Sequence, residues 1–485
     1  MNYRMIRNIV GKIMILVSIF MILPMIVSFI YKEGITNYLA YLIPILVLFG
    51  GGYFLSYKTL DDRKLGVKEG FIIVALSWIV MSLFGCIPFM ITGDIPNFFD
   101  AFFEMTSGFT TTGASVVDVT VLNHSTLFWR SFSHWIGGMG ILVFILMVIP
   151  ESKEGSTMHI LRAESPGPQV GKLVSKMKLT SRYLYLIYLG LTVIELLLLW
   201  LGPDEKMTFF SSLIYSLGTA GTGGFGMDPY SLEFYSNYSQ YVIAIFMLIF
   251  GINFTMFYLI LIGNLKSIFK NEEVKTYLIM VAVSVIIITV NIYTRCKNLE
   301  EAFRLSLFQV SSIVSTTGYS TTNFINWPSL SLLVLFLLMM SGACAGSTAG
   351  GMKVSRIVIL AKSFVRNIKR MIAPRQIETL KLNGKTIEEE QVESVQSFLV
   401  VYFIVLLSCA ALISIDGYDL LTNLTASLTC ISNVGPGLTE HIGPYGSFSG
   451  FSWFSKLVLS LEMIAGRLEI FPLLILFYPR TWLRK

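Results

Sequence analysis

Four short stretches of this 485-residue chain combine hydroxyl side chains, small residues and a central glycine. They are Thr110-Thr111-Thr112-Gly113, Ala220-Gly221-Thr222-Gly223, Ser315-Thr316-Thr317-Gly318 and Ser432-Asn433-Val434-Gly435. These residue types suit one task, which is to offer oxygens to a cation. A potassium ion enters a narrow pore only where oxygens replace its water shell, and backbone carbonyls from four chain segments can form such rings. Glycine lets an extended stretch turn its carbonyls inward without a Cβ penalty. Thr and Ser add hydroxyl oxygens at one end. A lone Gly/Thr turn would be an ordinary loop turn. Four at matching places form an internal repeat, and the fourth departs from it, with Asn433 and Val434 where the others carry Thr or Gly and Pro436 after its glycine.

The elements that must position these turns can be read outward from them. Each turn follows a short amphipathic run, at 97–108, 207–217, 299–313 and 419–430. Runs of about 12 residues are too short to cross a bilayer but suit a helix that enters partway and returns. The partly negative C-terminal ends of such half-helices favour a cation at their focus. Around them lie ten apolar spans, near 9–31, 38–57, 70–91, 127–149, 183–202, 239–264, 276–294, 329–361, 396–415 and 450–479. The expected fold is all-α integral membrane. It has an N-terminal helical hairpin at 1–68 and four helix–pore-loop–helix repeats at 69–181, 182–274, 275–395 and 396–485, set around a pseudo-fourfold pore.

Composition excludes the main alternatives. Hydrophobic residues make up 54% of the chain and charged residues 14%, against about 25% charged in a soluble domain. Disorder is excluded on the same ground. Ile13 to Ile30 lacks a small-residue cleavage site and reads as a retained span. On the side shared by the two termini lie 28 of the 36 Lys and Arg residues, which places both termini in the cytoplasm. The net charge of +6 is therefore a topology signal before it is a binding signal, and no nucleic-acid partner is expected. Five scattered cysteines and four histidines show no ligand spacing, so no transition-metal site is expected. No P-loop, nucleophile elbow or zincin motif occurs, so neither an enzyme nor a cofactor on this chain is expected.

Two features suit a gate. Arg467 lies inside the final apolar span, and an intramembrane charge is functional by default. It is read as a positive charge below the filter, or as a packing arginine paired with Glu462, Glu469 or a backbone carbonyl. The eighth span is interrupted by Gly342, Ala343, Cys344, Ala345, Gly346, Ser347, Thr348, Ala349, Gly350 and Gly351. That composition breaks a helix and reads as a movable loop under the filter or as a close-packing face. Lys353 follows at its cytoplasmic edge. His134 and Trp135 are expected at a span–filter contact. Asp94, Asp100, Glu104, Asp118, Asp228 and Glu440 are expected outside, where they would concentrate cations or decorate the surface. Glu195, Glu462 and Glu469 are the mid-membrane acids that a coupled symporter would use.

The same residues resemble a known family. The segments Gly108 to Ser115, Ser315 to Thr321 and Asn433 to Gly437 look like filter loops of the TrkH/TrkG/KtrB superfamily. His134-Trp135-Ile136-Gly137-Gly138-Met139-Gly140, Arg162-Ala163-Glu164-Ser165-Pro166-Gly167-Pro168, 342–353 and Gly466-Arg467-Leu468-Glu469 are further matches, and the resemblance covers essentially the whole chain. The extra N-terminal hairpin is similar to TrkH and unlike the shorter KtrB. The resemblance implies potassium uptake across a bacterial cytoplasmic (inner) membrane. It also implies a homodimer with one pore per protomer, membrane lipid around it, and a cytoplasmic TrkA-like nucleotide-binding regulatory ring. Channel-like gated conduction is the leading mechanism, and K+/H+ or K+/Na+ symport is the alternative.

Overall fold

The computed structural model describes residues 1–57, 66–140, 177–264, 270–374 and 378–482. Among these the only strands are Lys381–Leu382 and Lys385–Thr386, an antiparallel pair. Among the described residues, six helical segments are long and apolar enough to cross a bilayer. Tyr3–Tyr31 and Ile35–Ser56 form the N-terminal hairpin. Lys68–Thr92, Ser181–Trp200, Glu272–Arg295 and Glu389–Asp416 each precede one half-helix. The second of these shows why the composition is so apolar. Tyr188 and Leu199 are buried against the interior, while Leu186, Leu189, Val193 and Ile194 face outward, as a lipid-facing helix requires.

The four half-helices are Phe98–Phe109, Phe209–Gly221, Leu299–Val314 and Leu420–Ser432. Their starts follow from side-chain caps. Asn97, Thr208, Asn298 and Asp419 each accept a hydrogen bond from a backbone N–H in the first turn. Their last turns are buried from end to end, so each helix carries its carboxyl end into the core of the molecule.

The third repeat is not alone in having a broken second helix. In the second repeat, Asn237–Phe250 and Phe254–Leu261 meet at a bend of 93°. The Asn253 side chain accepts from Thr255 N–H and starts the second piece, a local bond that competes with a continuous helix. In the third repeat, Ser329–Ser341 and Val354–Ile372 flank the 342–351 loop. In the fourth, Trp453–Arg467 stops before Glu469 and Ile470, whose φ angles are 54° and 70°, and Phe471–Phe477 follows. In the first, His124–Gly138 ends near Gly140 at φ 75°. Helix breaks at this depth are tolerated where the freed backbone is buried or faces water. The motif at 162–168 lies outside the described residues.

Candidate ion pathway

All four half-helices end in one way. Thr111, Thr222, Thr316 and Asn433 sit in the left-handed region at φ 54° to 57°. The next residue then donates its N–H five positions back: Thr112 to Ser107, Gly223 to Gly218, Thr317 to Ser312 and Val434 to Thr429, at 2.9–3.0 Å. This terminates the helix and reverses the chain. A β-branched residue there is uncommon and strained, and such strain gathers at functional sites.

The residue two places after each left-handed one is a glycine with positive φ: Gly113, Gly224, Gly318 and Gly435. This corrects the register of the second turn. Gly224, not Gly223, is the equivalent of the other three, and Gly223 corresponds to Thr112, Thr317 and Val434. The glycines also close a ring. A Cβ on Gly113 would overlap the Gly223 carbonyl, on Gly224 the Thr317 carbonyl, on Gly318 the Val434 carbonyl, and on Gly435 the Thr112 carbonyl. Each repeat thus lies against the next, and the fourth returns to the first. Each of these four carbonyl oxygens lies against the glycine of the neighbouring turn, beside a half-helix carboxyl end, and backbone oxygens grouped in this way are able to replace the water of a cation. Gly113, Gly224 and Gly318 are partly exposed and Gly435 is buried, so the fourth turn is the least like the others.

The loop at 342–351 packs directly below. Gly350 N–H donates to the Thr316 hydroxyl at 2.7 Å, and a Cβ on Gly350 would strike the Ser432 carbonyl. Cys344 N–H donates to the Gly251 carbonyl at 3.1 Å, and Phe254 N–H donates to the Gly346 carbonyl at 3.0 Å. Arg467 reaches this loop from the fourth repeat. Its guanidinium donates to the Thr348 carbonyl at 2.7 Å and to the Gly137 and Gly138 carbonyls at 2.5 and 2.7 Å. It bridges the third repeat and the carboxyl end of His124–Gly138 in the first, which are opposite members of the ring. Neither suggested acid pairs with it: Glu469 pairs with Arg356, and Glu462 accepts from the Ser427 hydroxyl. Lys353 is buried, and its ammonium donates to the Ala349 carbonyl.

Sequence reasoning missed two groups. Glu273 accepts from Ala345 N–H at 2.6 Å and Ser355 N–H at 3.1 Å, so one carboxylate pins both sides of the loop. Nothing in a Glu-Glu pair at the start of an apolar helix marks that contact. Glu104 is not outside. It is fully buried behind the first turn, 2.7 Å from Arg130, and accepts from Val116 N–H at 2.9 Å. Arg130 is 2% exposed, and Arg356 and Arg366 are buried too, whereas Arg467 is only partly buried. Asp100 is held by Lys456 at 2.6 Å, and Asp94 accepts from Asn123 and Thr126. Asp118 does lie at the surface, where the Thr120 hydroxyl and N–H lower its carboxyl below the usual range. His134 and Trp135 both lie where the second helix of the first repeat meets its neighbours, His134 against the Gly108 carbonyl and Trp135 against Tyr188.

An all-helical membrane architecture whose half-helices converge on a ring of carbonyls is that of a transporter. The chain belongs to the TrkH family of cation transport proteins, whose model matches residues 35–483. It is 34% identical over 500 residues to the Trk system potassium uptake protein TrkH of Vibrio parahaemolyticus, covering 99% of this chain and 100% of that one. It is 34% identical over 495 residues to the Escherichia coli protein of the same name, with the same coverage. The Escherichia coli Trk system potassium uptake protein TrkG is 31% identical over 99% of both chains. The crystal structure of the potassium transporter TrkH from Vibrio parahaemolyticus superposes with a TM-score of 0.88 at 32% identity, over 99% of this chain and 100% of that chain.

Proposed function

We propose that this chain is a potassium uptake protein of a bacterial cytoplasmic membrane and conducts K+ in a channel-like, gated manner. The observation that carries the reading is the closed cycle of glycine–carbonyl contacts. The selective ring is formed by the carbonyls of Thr112, Gly223, Thr317 and Val434. Thr110, Thr111, Ala220, Gly221, Thr222, Ser315, Thr316, Ser432 and Asn433 line its approach. Gly113, Gly224, Gly318 and Gly435 allow the close fit. Low negative charge at the half-helix ends and carbonyl oxygens in place of water favour a weakly hydrated monovalent cation.

The gate is the 342–351 loop with Arg467. The loop blocks the path below the ring, and the arginine adds a fixed positive charge where an ion would emerge. Opening requires the Thr348 tie to break and the loop to move aside. Both termini face the cytoplasm, as the excess of Lys and Arg on their side supports. Two chains pair, each with its own pore, and a TrkA-like nucleotide-binding ring works on the gate from the cytoplasmic side. The Trk-system names of the relatives support a partner belonging to such a system.

Symport of K+ with H+ or Na+ is the second reading. Glu195 favours it: this acid is fully buried and neither carboxyl oxygen lies within hydrogen-bond distance of a partner among the described residues, so a coupled proton has a place to sit. Flux from proteoliposomes holding the purified chain separates the two. With pH clamped and no sodium gradient, potassium flux above sodium flux supports the channel-like reading. Flux that waits for a proton or sodium gradient supports symport.

A further inference from the structure

The second glycine turn is the loosest of the four by composition. Gly221-Thr222-Gly223-Gly224 carries one side chain among three glycines, each of which adds backbone freedom. The first and third turns are braced internally, by Thr110–Thr112 hydroxyls at 2.8 Å and Ser315–Thr317 hydroxyls at 2.7 Å. The fourth is braced by Asn433, which donates to the Thr112 hydroxyl and the Met463 carbonyl at 3.0 Å each. The Thr222 hydroxyl bonds back to the adjacent Gly221 carbonyl at 2.6 Å, which secures nothing beyond its own peptide.

What holds the second turn comes from the repeats on either side, and it meets at Phe225. His134, from the first repeat, accepts Phe225 N–H at Nε2, 3.3 Å away. Its Nδ1 lies 2.7 Å from the Gly108 carbonyl and so carries the proton and donates there. These two partners assign the neutral Nδ1–H tautomer, because a doubly protonated ring could not accept from Phe225. The same ring occupies the space that a Cβ on Gly223 would need. Tyr319, next to Gly318 in the third repeat, donates its hydroxyl to the Phe225 carbonyl at 3.2 Å. The Arg130 guanidinium lies 4.1 Å over the Phe225 ring, fixed by Glu104. His134 and Tyr319 are both fully buried.

We infer that His134 and Tyr319 are positioning residues for ion selectivity, gripping Phe225 by its amide and its carbonyl and so fixing the Gly223 carbonyl in the ring. Neither touches the ion. The inference rests on the proposed ring being the selective element. Selectivity depends on where the coordinating carbonyls sit and how freely they move, and this turn has no internal brace to replace the grip.

The test is the ratio of potassium to sodium flux in proteoliposomes of the full chain. Tyr319→Phe removes one oxygen and keeps the shape. His134→Asn keeps a donor near the Gly108 carbonyl and loses the acceptor for Phe225. His134→Gln places an acceptor near the lost Nε2. Tyr319→Phe and His134→Asn should lower the ratio roughly three- to tenfold, as one neutral hydrogen bond would. His134→Gln should recover most of it, which a merely structural histidine would not produce. An unchanged ratio in Tyr319→Phe and His134→Asn overturns the inference, as does equal loss in His134→Gln and His134→Asn. Gly224→Ala in the same series tests the ring itself. If it alone collapses the ratio, the ring stands and the grip falls. If it too changes nothing, the ring reading falls.

Discussion

Arg467→Gln should raise cation flux, and the structure sets the size of the effect. The guanidinium spends one hydrogen bond on the 342–351 loop, at the Thr348 carbonyl, and two on the Gly137 and Gly138 carbonyls. A hydrogen bond to a charged group is worth about 1.5–3 kcal/mol net. Losing the loop bond therefore shifts the balance toward an open loop by about 10- to 150-fold, at about 1.4 kcal/mol per tenfold. The charge acts separately. For a cation taken to pass within about 7 Å, at an effective dielectric of about 20, a unit charge raises its energy by about 2.4 kcal/mol. Either effect alone predicts at least a tenfold rise in potassium flux through proteoliposomes of the purified variant. Arg467→Lys separates them. It keeps the charge but cannot span three carbonyls, so it should raise flux less than Arg467→Gln does. Flux at or below the wild-type level in Arg467→Gln, with the protein still monodisperse, refutes the gate and makes the arginine a structural strut.

Three further outcomes follow from the geometry. Gly224→Ala should collapse potassium-over-sodium selectivity, because its Cβ overlaps the Thr317 carbonyl at a φ of 77°, whereas Gly226→Ala meets only ordinary contacts and should keep it. The same ion-replacement flux assay reads both. Glu273→Ala frees one N–H group within the loop and one just beyond it and should make the pore leakier by roughly tenfold, the worth of one or two lost bonds. An unaltered leak would show that the Glu273 bonds do not hold the loop shut. Glu104→Gln leaves Arg130 buried without its carboxylate, which costs about 3–5 kcal/mol. Thermal unfolding in detergent should shift clearly downward, and an unshifted midpoint would mean that water reaches the arginine.

The half-helices were legible because their signals are local: a capping Asn, Thr or Asp, an apolar run of three turns, then a glycine. The register of the second turn was not. Gly221, Gly223 and Gly224 all match a glycine pattern, and only the left-handed Thr222 decides which is equivalent to Gly113. The second-helix breaks were half legible. The 342–351 loop carries its own composition, but the break at Glu469 and Ile470 is made of residues that form helices well elsewhere. It is held by the distant Arg356, which also donates to the Met352 carbonyl. The Glu104–Arg130 pair was illegible for a similar reason. Nothing local distinguishes an acid in a half-helix that points outward from one turned toward a buried guanidinium. Long-range partners decide both, and periodicity does not carry them.

The proposed ion site is formed by four carbonyls, those of Thr112, Gly223, Thr317 and Val434. Anomalous scattering from crystals of the full chain soaked in thallium(I), a potassium mimic, tests it directly. A peak on the axis of those four oxygens, abolished in Gly224→Ala, is the predicted result. Thallium density absent from that axis and found instead beside Glu195 would contradict it.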